Sequence, residues 1–180
     1  MSVIINASSA SGLVMTSDLS GTLSLQSNGV AVTVPAVAGT MMVSGNMPAF
    51  SVYPNSSQSL SSGVQKIQMA AETFDTNNCF DSTTNYRFTP TVAGYYQINA
   101  LVTLGATSST CTIYIYKNGS NYKNGTNIAA SGYNSSSVSD VVFLNGSTDY
   151  IEFYVGVSTS LSLQGTINNT YASGAMIRSS

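Results

Sequence analysis

The 180-residue chain contains no histidine and no tryptophan. Without an imidazole it can hold no Ser–His–Asp triad, no Cys–His pair and no histidine-ligated metal. Two cysteines, Cys79 and Cys111, are too few for a disulfide framework. They pair only if the fold brings them together, and two buried free thiols is the favoured reading. Charge is almost as scarce. Only 7% of the residues are Asp, Glu, Lys or Arg, against about 25% in an ordinary globular domain. Five basic side chains and a net charge of −2 offer no cationic surface to a phosphate backbone, so nucleic acid is not expected as a partner. No apolar run approaches the ~18 residues of a membrane-spanning helix. Residues 1–6 lack the basic region and apolar stretch of a secretory signal, so no membrane partner is expected either.

What is present is 43% hydrophobic residues, set among Ser, Thr, Asn and Gly. Disordered chains combine low hydrophobicity with high net charge, so this composition points to a folded protein with a hydroxyl- and amide-rich surface. Helical periodicity is hard to find, whereas two-residue alternation recurs. Cys111, Ile113 and Ile115 fall on one face of a strand and Thr112, Tyr114 and Tyr116 on the other. Ile151, Phe153 and Val155 oppose Tyr150, Glu152 and Tyr154. Tyr96, Ile98, Ala100 and Val102 oppose Tyr95, Gln97, Asn99 and Leu101. Asn118-Gly119, Asn124-Gly125 and Asn145-Gly146 punctuate these runs, and Asn-Gly supplies the positive φ of tight turns. Many short alternating strands between such signals predict an all-β sandwich or jelly roll.

The first 65 residues carry one charge, Asp18. Residues 13–16, 22–26, 30–34 and 41–43 read as short strands, and Ser27-Asn28-Gly29 is a hairpin signal between the second and third. A boundary near Met47 gives a β-rich N-terminal arm, residues 1–47, and a main domain, residues 48–180. Short strands of this length bury little on their own. An uncharged arm also lacks the edge charges that block strand addition. It is expected to dock on a partner through Leu23, Leu25, Val30, Val32 and Val34.

From Pro48 onward the sequence resembles a C1q-like domain, the jelly roll related to the tumour-necrosis-factor fold. The resemblance is carried by Pro48-Ala49-Phe50-Ser51-Val52, by Arg87-Phe88-Thr89-Pro90 and by Val92-Ala93-Gly94-Tyr95-Tyr96-Gln97-Ile98. It continues in Lys117-Asn118-Gly119, Asp149-Tyr150-Ile151-Glu152-Phe153 and Ser173-Gly174-Ala175-Met176-Ile177, over about three quarters of the chain. The wording of these segments is similar to C1q-like domains of bacteriophage structural proteins. The arm resembles the low-charge N-terminal segments of phage tail-fibre and virion proteins. The resemblance implies a C1q/TNF-like jelly-roll sandwich behind a short β-rich arm, assembled as a homotrimer on the virion surface, with no enzymatic activity and no cofactor. It implies attachment to another virion protein, capsid or tail, through residues 1–47. Capsid decoration as a cement protein is the first expectation, because the chain holds no shaft-forming repeat. A tail-fibre tip recognising host glycan is the alternative, and a lectin-like module a third.

The tyrosines opposite the core positions give independent support for assembly. Tyr95, Tyr114, Tyr116, Tyr150 and Tyr154 stand where an outward surface usually carries Lys, Glu or Thr. An apolar ring with a hydroxyl suits a subunit interface, and these five are the expected trimer contacts. The Asn/Gly/Ser-rich residues 118–137, with Tyr122, Lys123, Asn124 and Tyr133, are the candidate ligand loop, because such compositions make adaptable binding surfaces. Asp75 and Asp81 with Asn77 and Asn78 could offer oxygens to Ca²⁺. A polar turn capping its own backbone is the favoured reading, so no metal is expected.

Overall fold

The computed structural model describes residues 23–27, 30–34, 45, 47–105 and 109–180. The chain divides into two compact units, Met1–Gly39 and Thr40–Ser180. In the first unit β1 (Leu23–Ser27) and β2 (Val30–Val34) form an antiparallel hairpin. The register sets Leu23 opposite Val34, Leu25 opposite Val32 and Ser27 opposite Val30, so four of the five expected docking residues face one another across the ladder. The expected strands at 13–16 and 41–43 lie outside the described residues.

The second unit is built from β3 (Ala49–Tyr53), β4 (Gln58–Leu60), β5 (Gly63–Lys66), β6 (Ala71–Asp75), β7 (Phe80–Asp81), β8 (Arg87–Phe88), β9 (Gly94–Thr103), β10 (Ser109–Lys117), β11 (Ser120–Ala130), β12 (Ser135–Leu144), β13 (Ile151–Val157), β14 (Leu161–Leu163) and β15 (Tyr171–Ser179). Sheet I has the order β12-β9-β15-β3-β6, and sheet II the order β11-β10-β13-β8-β7 with β5 also on β13; β14 pairs with β4. All of these pairings are antiparallel. The chain passes from sheet I at β9 to sheet II at β10 and β11, returns at β12, crosses again at β13 and closes in sheet I at β15, as a jelly roll requires. No α-helix occurs among the described residues, and so no helix there is long and apolar enough to cross a membrane.

Alternation decides which side chains lie between the sheets. Tyr96, Ile98, Ala100 and Val102 of β9 are buried, as are Cys111, Ile113 and Ile115 of β10 and Ile151, Phe153 and Val155 of β13. Phe50 sits at the aromatic centre, 4.4 Å from Phe88 and 5.3 Å from Phe80 between ring centroids. Phe88 meets Tyr96 edge-on at 5.5 Å. The Tyr96 hydroxyl is satisfied inside the core by donating to the Val92 carbonyl at 2.6 Å, and burial pushes its pKa upward.

The turns follow their expected chemistry with one correction. Lys117 and Ser120 are paired across Asn118 and Gly119, both at positive φ, which is the two-residue hairpin that Asn-Gly favours. Asn145 Oδ1 caps its own turn by accepting from the amides of Ser147, Thr148 and Asp149. Asn124-Gly125, expected to be a turn, lies inside β11 beside a register shift opposite Thr112 and Tyr114. A Cβ at position 125 would fall 2.4 Å from the Ser137 carbonyl and 2.6 Å from Ile113 Cγ2. Close packing against β12 and β10, rather than chain reversal, therefore accounts for this glycine.

Candidate functional site

The five expected interface tyrosines do not form one surface. Tyr114 and Tyr116 of β10 and Tyr154 of β13 share the outer face of sheet II, and all three are half-buried. Tyr116 stacks on Tyr154 at 4.0 Å, and Tyr114 meets Tyr116 edge-on at 6.4 Å. Lys66 runs over this ladder, with Nζ 5.8 Å from the Tyr154 centroid and 2.5 Å from Glu152 Oε1. Glu152, which alternation assigns to the exposed face, is buried with 6% of its side chain accessible, and Lys66 is its counter-ion. Burial, then the nearby Glu152 charge, raise the Tyr154 pKa. Tyr150 lies just before β13 with the Arg87 guanidinium 4.5 Å over its ring. Much of this tyrosine surface is therefore already covered by the chain's own cations and rings.

Tyr95 belongs to the other side of the sandwich. It projects from β9 on the outer face of sheet I and packs on Phe143 of β12 at 5.4 Å. Around it lie residues that alternation alone did not single out. Phe74, Tyr95, Val141, Phe143, Tyr171 and Ile177 are six of the ten exposed large hydrophobic residues described, and all six are carried by sheet I. Their exposure runs from 39% to 52%. Between them is a neutral polar band in which Gln97 Nε2 donates to Ser139 Oγ at 2.8 Å and Ser139 Oγ donates to Asn99 Oδ1 at 2.8 Å. A signal for this face was present in the sequence. Val141, Val142, Phe143 and Leu144 are apolar on both sides of one strand, so the side turned away from the core also needs a cover.

The candidate ligand residues divide between a strand and a connection. Tyr122, Lys123 and Asn124 lie on β11, which runs to Ala130. Lys123 Nζ is paired with Asp140 Oδ2 at 2.9 Å, and this bond raises its pKa. Tyr133 stands in the connection between β11 and β12, beyond the end of β11. It is 70% exposed and lines a depression of about 450 Å³ with Leu101, Thr103, Ser135, Gln164, Asn168 and Asn169.

Asp75 and Asp81 are occupied by their own turns. Asp75 accepts from the Phe80 and Asn77 amides at 2.7 and 3.4 Å. Asp81 accepts from the amides of Thr83, Thr84 and Asn85 and from the Asn85 side chain. These bonds, led by that from Thr84, hold its carboxyl far below the usual range. Asp149 is likewise lowered, by Asn118 Nδ2 at 2.8 Å and then by Lys117. Cys79 and Cys111 are both free and buried, and burial pushes the Cys111 thiol up to about 11.

No family model matches the sequence, and no curated protein matches it. Solved structures do. Murine APRIL at pH 5.0 matches with a TM-score of 0.59 at 12% identity, over 73% of this chain and 99% of that one. Eiger TNF from S. frugiperda matches with a TM-score of 0.61 at 8% identity, over 75% and 95%. The globular domain of zebrafish complement 1qA matches with a TM-score of 0.59 at 18% identity, over 74% and 99%.

The fold is the TNF/C1q-like jelly roll. At identities of 8–18% the likeness concerns the backbone arrangement, and function lies in what this chain adds to it. This chain carries an exposed apolar-rich face on sheet I, with Arg178 opposite Tyr95 at one end, a cation-capped tyrosine ladder on sheet II and a neutral depression around Tyr133.

Proposed function

We propose that this TNF/C1q-like jelly roll is a non-enzymatic structural protein that assembles as a homotrimer through the outer face of sheet I. The observation that carries this is the gathering of Phe74, Tyr95, Val141, Phe143, Tyr171 and Ile177 on one face. Exposed apolar side chains gathered on one face mark interaction surfaces. If each of the six buries about 80 Å², the gain is roughly 12 kcal/mol per subunit. That falls within the estimated cost of association, about 4–15 kcal/mol, so the polar band and the flanking surface must contribute the remainder. Of the five tyrosines expected in the interface, Tyr95 alone lies on this face. The other four belong to the side turned away from it.

The trimer is a virion surface protein of a bacteriophage, attached through residues 1–47, with capsid decoration as its role. The phage-like wording of the domain and the nearly uncharged arm support this. Leu23, Leu25, Val30, Val32 and Val34 of the β1–β2 hairpin supply the docking residues. A chain lacking residues 1–44 should remain a folded trimer and lose attachment to purified particles. Retained attachment would exclude the arm as the anchor. A second reading, a receptor-binding tip on a tail fibre, draws on the neutral depression around Tyr133. Immunogold labelling of virions separates the two by placing the protein on the head or the tail.

A further inference from the structure

The depression around Tyr133 has the chemistry of a ligand site. Three segments meet there: the end of β9, the start of β12 and the chain between β14 and β15. Backbone bonds pin them together. The Gln164 amide donates to the Thr103 carbonyl, the Leu104 amide to the Asn134 carbonyl and the Gly105 amide to the Ser162 carbonyl, each at 2.8 Å. Buried Thr170 accepts from the Thr103 amide at 3.2 Å, and buried Asn134 donates to the Ser109 carbonyl at 2.8 Å. The Thr103 and Ser135 hydroxyls are 2.8 Å apart. The walls are therefore set before any ligand arrives, which lowers the ordering cost of binding.

The lining selects a ligand class. No charged side chain borders the depression, so an ion would leave water without a counter-charge. Three residues that carry primary amides, Gln164, Asn168 and Asn169, line it. Among the described residues their side chains make no hydrogen bond with the protein. Each offers two donors and an acceptor, and a purely apolar ligand would strip their water without replacing it. Tyr133 adds an exposed ring with a polar tip. A ligand that answers all of this is neutral, carries several hydroxyls that both donate and accept, and has an apolar C–H face to lie on a ring. The volume of about 450 Å³ falls in the range of small-ligand sites, about 300–1,000 Å³.

We propose that this depression binds neutral carbohydrate, with Tyr133 as the stacking platform and Gln164, Asn168 and Asn169 as hydroxyl partners. The site holds for a head-mounted or a fibre-mounted protein alike, and its failure leaves the self-association reading intact. The test is a glycan array carrying neutral, sialylated and sulfated oligosaccharides, probed with the full-length protein and followed by titration calorimetry with the strongest neutral hit. Neutral glycans should bind, with little change on raising salt, since no ion pair is involved. Tyr133→Ala should weaken the hit by about tenfold or more, as loss of a central aromatic anchor does, while Tyr133→Phe retains it. Gln164→Ala should weaken it less, with unchanged circular dichroism. Binding of no neutral glycan, binding of charged glycans alone, or binding untouched by Tyr133→Ala would overturn the proposal.

Discussion

The Phe50 ring fills the space that a side chain at Gly174 would need. A Cβ at position 174 would lie 2.6 Å from Phe50 Cε1 and 2.7 Å from Ile98 Cδ1, and both of those residues are fully buried. β15 can close beside β3 and β9 only because position 174 has no side chain. Gly174→Ala is therefore expected to destabilise the domain by about 1–3 kcal/mol, the usual cost of overpacking. Urea denaturation followed by tyrosine fluorescence measures it. An unchanged midpoint would mean that the Phe50 cluster has room to yield.

Lys66 and Glu152 make a second prediction. Glu152 is buried while Lys66 is about a third exposed, so removing the lysine strands a carboxylate inside the fold. Lys66→Met should cost about 2–4 kcal/mol, near the low end for breaking a buried pair because Lys66 reaches solvent. The double variant Lys66→Met/Glu152→Gln should recover part of that loss. A double variant no more stable than the single one would show that Lys66 contributes by packing on Tyr154 rather than by charge.

Acid should find Asp81. Its folded pKa lies below its unfolded value of about 3.9, so it contributes stability above that unfolded value. The contribution is lost as pH falls toward the folded pKa. Asp149 acts in the same direction. Asp81→Asn keeps much of the turn but cannot titrate, so the stability difference between neutral pH and about pH 2.5 should shrink in this variant. Denaturation midpoints at the two pH values decide it. An undiminished difference would place the acid sensitivity in other carboxylates.

The inside and outside of the sandwich were legible because alternation maps directly onto faces. Tyr96, Ile98, Ala100 and Val102, Cys111, Ile113 and Ile115, and Ile151, Phe153 and Val155 are all buried as read. The Asn118-Gly119 hairpin was legible because its backbone conformation is local. Alternation does not say which sheet a strand joins. Tyr95 and Tyr114 read alike, yet β9 and β10 lie in different sheets, so their outward faces point to opposite sides of the domain. Asn124-Gly125 carried a turn signal that close packing by Ser137 and Ile113 overrode. Glu152 read as exposed because its partner, Lys66, comes from β5, far away in the chain. Tyr133 was singled out by composition. Its amide neighbours Gln164, Asn168 and Asn169 were not, because they reach the site only through the closure of β14 on β4 and β9.

Assembly through sheet I sets the mass of the full-length protein in solution. Multi-angle light scattering at micromolar concentration should give three times the 18.7 kDa chain. Tyr95→Glu combined with Val141→Glu should reduce this to a single chain, and Tyr116→Glu on sheet II should leave it unchanged. A wild-type mass of one chain, or a trimer that survives the sheet I charges and falls apart with Tyr116→Glu, would rule out sheet I as the interface.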